Sequence, residues 1–310
     1  MEERYGQHIG NYRLTRVLGR GIHAQVYLGE HLYLQRTVAV KVLKDLLEEK
    51  QIARFCSEAD MISSLDHPQI VRVLDFGVEE HVPYLVMEYA PNGTLRQRHP
   101  SGTVLPMSVV ASYVQQIAAA LDYAHQHKVI HRDVKPENLL LGAREDVLLS
   151  DFGIAVVAHR TKSMTTQDGE GDPTYMAPEQ LLRKARPASD QYALGVVVYE
   201  WLTGAPPFQG LPIEIGMQHL HTAPAPLSTA GQPLDPEVSR VVLRALEKDH
   251  QQRYGSVQEF ADALSQVSQQ TYASSAEPAR ATEPASAAQA DAAPTKRSFW
   301  GRARRRFKRA

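Results

Sequence analysis

Hydrophobic and polar positions change period along this chain. Residues 12–18, Tyr-Arg-Leu-Thr-Arg-Val-Leu, alternate, and a strand-like run resumes over 25–30 after a glycine turn. Residues 37–43 are β-branched and apolar, and 71–78 and 84–89 are two further runs of the same kind. Alternation with β-branched enrichment predicts strands. One stretch of helical spacing, about 48–65, interrupts them. Beyond residue 89 the period becomes helical, and 107–127, 188–203, 237–248 and 257–267 are predicted helices. A β-rich part with one helix, then a mainly α part, predicts an α+β domain over 12–267. It would have a small lobe over about 12–90 and a larger one over about 91–267. Ligands tend to bind between such lobes. Residues 1–11 form an N-terminal extension.

The periodicity stops near residue 267. From 268 to 295 Ala, Ser, Pro, Gln, Thr and acidic residues dominate. That segment cannot bury enough surface to offset its ordering entropy, and it is expected to be a disordered linker. Residues 296–310 carry eight Lys or Arg around Phe299, Trp300 and Phe307. Phe299, Ala303 and Phe307 fall at i, i+4 and i+8, which on a helix makes a short basic amphipathic patch. Such a patch suits weak contact with an anionic membrane surface.

Composition narrows the class. The 310 residues are 43% hydrophobic and 22% charged, as in ordinary globular proteins. A formal net charge of −1 gives no reason to expect a nucleic-acid partner. The single cysteine, Cys56, excludes an intramolecular disulfide framework and fits a reducing cytosol. The polar start of the chain lacks the apolar core of a signal peptide. The longest apolar-rich stretch, 192–202, is about half a membrane span and contains Gly195 and Glu200, so it reads as a buried helix. The expected location is cytoplasmic, with peripheral contact at the inner membrane face through the tail.

Several segments carry candidate chemistry. Gly19-Arg20-Gly21 lies between two predicted strands, where glycines let a hairpin cover a phosphate chain and expose N–H donors. A tight hairpin uses glycines too, so this signal is weak alone. Ala24 holds the third small position. Lys41 sits in the apolar run Val38-Ala39-Val40-Lys41-Val42, either as an edge solubiliser or as a placed cation. Glu58, on the predicted helix, could face inward and pair with it. His131-Arg132-Asp133-Val134-Lys135-Pro136-Glu137-Asn138 packs an acid, a cation and an amide into six positions, 133–138. Eighteen residues after Asp133 comes Asp151-Phe152-Gly153, behind the strand-like 147–149. Asn138 and Asp151 would supply oxygens to a hard cation such as Mg²⁺.

With Ala177-Pro178-Glu179, these segments stand in one order at fixed spacings, and the chain resembles the eukaryotic-type protein kinases, especially bacterial serine/threonine kinases. The resemblance covers about 12–264. It implies ATP and Mg²⁺ as cofactors and proteins as substrates. By that resemblance Lys41 bridges the α- and β-phosphates and pairs with Glu58. Asp133 takes the proton of a substrate hydroxyl, and Lys135 places charge near the γ-phosphoryl group. Asn138 and Asp151 hold the metal. Leu18, Gly19, Gly21, Val26, Ala39 and Leu140 surround the nucleotide. Met87 guards the back of the adenine pocket, and 88–90, with Glu88 and Ala90, form the hinge. Ile62, Val73, His131 and Phe152 form an apolar stack, Glu179 pairs with Arg253, and Asp190 bonds the backbone at His131 and Arg132.

Lys135 follows the serine/threonine pattern. Arg132 beside Asp133 implies a phosphorylated activation loop, for which Thr161, Ser163, Thr165 and Thr166 are available. Thr165 and Thr166 are the autophosphorylation candidates, and a homodimer would let the reaction run in trans. One departure stands out: Gly171-Asp172-Pro173 replaces the usual Gly-Thr-Pro. Asp172 is expected to accept from Lys135 and to bring a second negative charge near Asp133, altering its pKa and tuning activity. A weakly active enzyme or pseudokinase scaffold is the alternative. A kinase-like enzyme for small molecules fits less well with the 177–179 motif.

Overall fold

A computed structural model describes residues 6–21, 24–152, 172–229 and 231–275. Thr161, Ser163, Thr165, Thr166, Gly153, Gly171, the linker from 276 onward and the basic tail lie outside them.

The first lobe is one antiparallel sheet of β1 (His8–Ile9), β2 (Tyr12–Arg20), β3 (Ala24–His31), β4 (Thr37–Leu43), β5 (Val73–Glu79) and β6 (Val82–Glu88), in the order β1-β2-β3-β4-β6-β5. Period two sorts β4 onto two faces. Val38, Val40 and Val42 join Tyr12, Leu14, Tyr27 and Val86 in an outer cluster. Ala39 and Leu43, with Leu85 and Met87 of β6, face the main core. Helix α1 (Glu49–Ser63) covers that face with Phe55, Ala59 and Ile62 buried. Its first turn is capped by Gln51 Oε1, which accepts from Glu48 N at 2.7 Å.

The second lobe contains α2 (Leu95–Arg98), α3 (Met107–Gln126), the hairpin β7 (Leu139–Leu141) and β8 (Val147–Leu149), α4 (Pro178–Leu181) and α5 (Pro187–Thr203). After these come α6 (Pro212–His221), the short pair β9 (Ser228–Thr229) and β10 (Gln232–Pro233), α7 (Pro236–Ala245) and α8 (Val257–Ser275). Thr94 and Gln97 cap α2 reciprocally: Thr94 Oγ1 accepts from Gln97 N at 3.1 Å and Gln97 Oε1 from Thr94 N at 3.0 Å. Helix α5 is buried on every side from Ser189 to Leu202, as expected of a helix that is mainly apolar around its circumference. It packs against α3, α7 and α8, and Gly204 at φ 88° ends it in the left-handed region.

Predicted boundaries mostly hold, with three corrections. The extension is part of the fold from residue 6: Ile9 is fully buried, and β1 pairs with β2 across a two-residue turn. Gly10, at φ 53°, makes that turn, and any Cβ there would strike the Tyr84 hydroxyl. The last helix runs eight residues past 267, to Ser275, through sequence expected to be linker. No glycine or proline stands in 268–275 to stop it, so the helix outlasts the apolar periodicity. Helix α6 escaped the pattern because Gly216 interrupts it and Ile213 and Met217 point outward.

Candidate active site

Register places the nucleotide candidates on one surface. Gly19 pairs with Val26, Val26 with Lys41, Ala39 with Met87, and Met87 with Val73. Leu18, Val26, Ala39, Met87 and Leu140 all belong to, or pack against, the main cluster. Gly21 donates its N–H to Ala24 O at 2.9 Å, and its carbonyl accepts from Lys44 Nζ at 2.7 Å, which closes the β2–β3 turn. The Glu88 carboxylate pairs outward with Arg36 at 3.0 Å, so only its backbone could meet an adenine. Ala90 lies in the link from β6 to α2. Lys41, Ile62, Val73, Met87, Asp151 and Phe152 line a narrow cavity behind this surface.

The segment 131–133 is held by one buried carboxylate. Asp190, fully buried in the first turn of α5, accepts from His131 N at 2.9 Å, Arg132 N at 2.8 Å and His125 Nε2 at 2.7 Å. The first two bonds match expectation; His125 was not anticipated. The grip holds Arg132 at φ 67°, in the left-handed region that costs a non-glycine residue about 1–2 kcal/mol. Gln180 Nε2 fixes the Arg132 carbonyl at 2.7 Å. Arg132 Nε is buried with no hydrogen-bond partner among the described residues.

His131 is fully buried, and burial lowers its pKa. Its tautomer follows from its neighbours. Nε2 lies 2.8 Å from the Ser150 carbonyl and so carries the proton, while Nδ1 accepts from Asp133 N at 3.2 Å. Its ring meets Phe152 at a centroid distance of 4.6 Å, which joins two members of the expected stack.

Two side chains converge on one carboxylate. Lys135 Nζ is 2.8 Å from Asp133 Oδ2, and Asn138 Nδ2 donates to the same oxygen at 2.9 Å and to the Asp133 carbonyl at 2.8 Å. Burial alone would push Lys135 down, but Asp133, then Glu137 and Asp151, hold it above its usual range. Asp133 keeps 42% of its side-chain surface exposed, so a substrate group can reach it. The Asn138 turn is pinned by Ser150, whose N and Oγ both donate to the Asn138 carbonyl at 2.9 Å.

Asp151 lies two residues past β8 at φ 63°, again left-handed. Lys41 Nζ meets its Oδ1 at 3.0 Å. Burial would raise the Asp151 pKa, but Lys41, and after it His131 and Lys135, lower it, so the carboxylate stays ionised. Among the described ion pairs Lys41 meets Asp151, a partner the sequence reading had not assigned to it. Glu58 sits half-buried on α1.

Asp172 is a correction. Its Oδ1 accepts from Thr174 N at 3.0 Å and from the Thr174 hydroxyl, capping the turn Pro173–Tyr175. Among the described ion pairs Lys135 is joined to Asp133, not to Asp172. An Asx cap on the next turn is closer than the lysine, and it takes the carboxylate. The Glu179–Arg253 pair forms as expected, bidentate at 2.8 and 2.9 Å, with Arg253 also donating to the carbonyls of Glu247, Lys248 and Ala188.

Sequence reasoning missed Arg96, Tyr175 and His219. Arg96 Nε and NH1 bond Glu137 and Glu200, each at 2.7 Å. His219 joins Tyr192 to the Thr174 carbonyl. One signal was visible: Glu200 inside an otherwise apolar helix requires a cationic partner.

The protein kinase domain family model matches residues 12–272. Serine/threonine-protein kinase PrkC of Bacillus subtilis is 38% identical over 256 residues, covering 81% of this chain and 39% of that protein. Serine/threonine-protein kinase PknB of Mycolicibacterium smegmatis is 39% identical over 273 residues, covering 84% of this chain and 44% of its own length. PknB of Mycobacterium tuberculosis is 39% identical over 267 residues, covering 83% and 42%. The chain thus spans about two fifths of the length of these curated relatives. Geometry and comparison agree on the larger assignment: this chain belongs to the protein kinase domain family.

Proposed function

We propose that this protein transfers the γ-phosphoryl group of ATP to serine and threonine hydroxyls of proteins. The observation that carries this reading is the convergence of Lys135 and Asn138 on Asp133 Oδ2 beside the Lys41–Asp151 pair. Both contacts use Oδ2, so Oδ1 is the oxygen through which Asp133 would take the substrate proton. The hydroxyl oxygen then bonds to the γ-phosphorus, the bond to the β-phosphate oxygen breaks, and ADP leaves. Lys135, held charged, lies where it would stabilise the migrating group, and Lys41 would meet the α- and β-phosphates. The apolar surface of Leu18, Val26, Ala39, Met87 and Leu140 would enclose the adenine, with Gly19 and Gly21 over the phosphates.

The donor set suits Mg²⁺. Asp151 is ionised, and Asn138 spends its amino group on Asp133, which leaves its carbonyl oxygen for a cation. Among the described residues no cluster of three or more His, Cys, Asp or Glu could hold a metal, so nucleotide phosphates and water would complete an oxygen shell. Bound there, Mg²⁺ would neutralise charge on the phosphates. The buried Arg132 Nε supports activation by a phosphate on Thr165 or Thr166. No helix among the described residues is long and apolar enough to cross a membrane.

The full chain incubated with γ-labelled ATP and Mg²⁺, beside Asp133→Asn, tests this reading. Label on serine or threonine in the parent alone is expected. An unlabelled parent, or label confined to tyrosine, would overturn it.

A further inference from the structure

Arg96 lies outside every motif that carries the kinase resemblance, yet its guanidinium is fully used. Nε donates to Glu137 Oε1 at 2.7 Å. NH1 donates to Ser101 Oγ at 3.0 Å and Glu200 Oε1 at 2.7 Å, and NH2 to Glu200 Oε2 at 3.2 Å and to the Tyr175 hydroxyl. A guanidinium has five N–H donors, and all five find acceptors here. Tyr175 in turn donates to Glu200 Oε2 at 2.6 Å. Burial works against the Arg96 charge, but Glu200 and Glu137 outweigh it and raise its pKa. Burial, then Glu200, pushes the Tyr175 hydroxyl far up, so it stays a neutral donor.

The partners come from separate pieces of chain. Glu137 directly precedes Asn138 in the turn Pro136–Asn138, and Tyr175 closes the turn Pro173–Tyr175, just ahead of Ala177-Pro178-Glu179. Glu200, with 4% of its side chain exposed, belongs to the buried helix α5. One cation therefore ties the metal-binding turn and the 173–175 segment to the same rigid anchor. We propose that Arg96 is a positioning residue for phosphoryl transfer, fixing Asn138 and the segment at Tyr175 in one frame set by Glu200. This rests on the kinase reading above. A lysine could not replace Arg96, because three donors on a single nitrogen cannot span Glu137, Glu200 and Tyr175 together.

The test compares the full-length parent, Arg96→Lys and Glu137→Ala, with dephosphorylated casein as acceptor and free Mg²⁺ varied. Displacing a reacting group by about 1 Å costs about 10²-fold, so a partial shift predicts kcat at least about tenfold lower in Arg96→Lys. The free Mg²⁺ for half-maximal rate should rise about threefold or more, with the KM for ATP within about twofold of the parent. Glu137→Ala removes only the acceptor beside Asn138 and should reproduce the Mg²⁺ shift. A purely structural Arg96 would lower the melting temperature and scale activity down at unchanged Mg²⁺ dependence. An active parent with unchanged Mg²⁺ dependence in both variants overturns the proposal alone. If Arg96→Lys does not fold, Glu137→Ala, at a side chain 44% exposed, decides it. A parent that labels no acceptor sinks the kinase reading, and this proposal with it.

Discussion

Replacing Asp190 by asparagine probes how the catalytic loop is held. The carboxylate receives three N–H donors, with His131 N and His125 Nε2 converging on Oδ2 and Arg132 N on Oδ1. An asparagine has one oxygen and one amino group. Its better orientation puts the oxygen where two donors converge, and its NH₂ then faces the Arg132 N–H. That backbone donor loses its acceptor at a cost of about 1–3 kcal/mol. The two surviving bonds become neutral rather than charge-assisted, which roughly halves their strength. Together the loss is about 3 kcal/mol, which corresponds to a fall in Tm of about 6–12 °C for a domain of this size. Arg132, released from φ 67°, would relax toward ordinary backbone and carry Asp133 with it. On the proposed reading, displacing Asp133 by about 1 Å lowers kcat about a hundredfold. Urea or thermal unfolding at pH 7 measures the first effect, and steady-state phosphorylation the second. A variant with the parent's unfolding midpoint and a kcat within about twofold would refute the account of Asp190 as the loop's anchor.

Two further substitutions report on buried charge. Arg253→Met leaves Glu179 buried without its cation, a loss of about 3–5 kcal/mol at pH 7. The folded Glu179 pKa is depressed because Arg253 outweighs the cost of burial, so this stability is present above the unfolded carboxylate pKa and is lost as pH falls through the folded value. Urea midpoints should therefore separate parent and variant at pH 7 and converge in acid; a constant gap would contradict the pairing. His219 is fully buried between Tyr192 and the Thr174 carbonyl, and burial lowers its pKa to about 4. The unfolded chain binds a proton below about pH 6.5 that the folded chain refuses until about pH 4, so stability falls with pH across that window and levels below it. In His219→Asn the slope of unfolding free energy against pH between these values should shrink by about one proton's worth. An unchanged slope would show that His219 does not titrate this way.

The sequence by itself determined the order of the lobes, because period two and period 3.6 are properties of neighbouring residues. It also singled out Asp133, Lys135, Asn138 and Asp151 as candidates, because they lie in two short segments at a fixed spacing. That Lys135 and Asn138 meet on Asp133 Oδ2 was not read from the sequence and appeared only in the structure. Partners far apart along the chain were legible only where a resemblance supplied them, as for Glu179 with Arg253 and Asp190 with the catalytic loop. Where one acid could serve a lysine or a nearby turn, tertiary structure decided. Asp172 went to Thr174. Glu200 in an apolar helix announced that a cation must approach, but nothing in the pattern said it would be Arg96, 104 residues away. Hydrophobic periodicity specifies which face of an element turns inward. Which buried charge meets which depends on how the packed elements set their side chains against one another, and that is settled only in three dimensions.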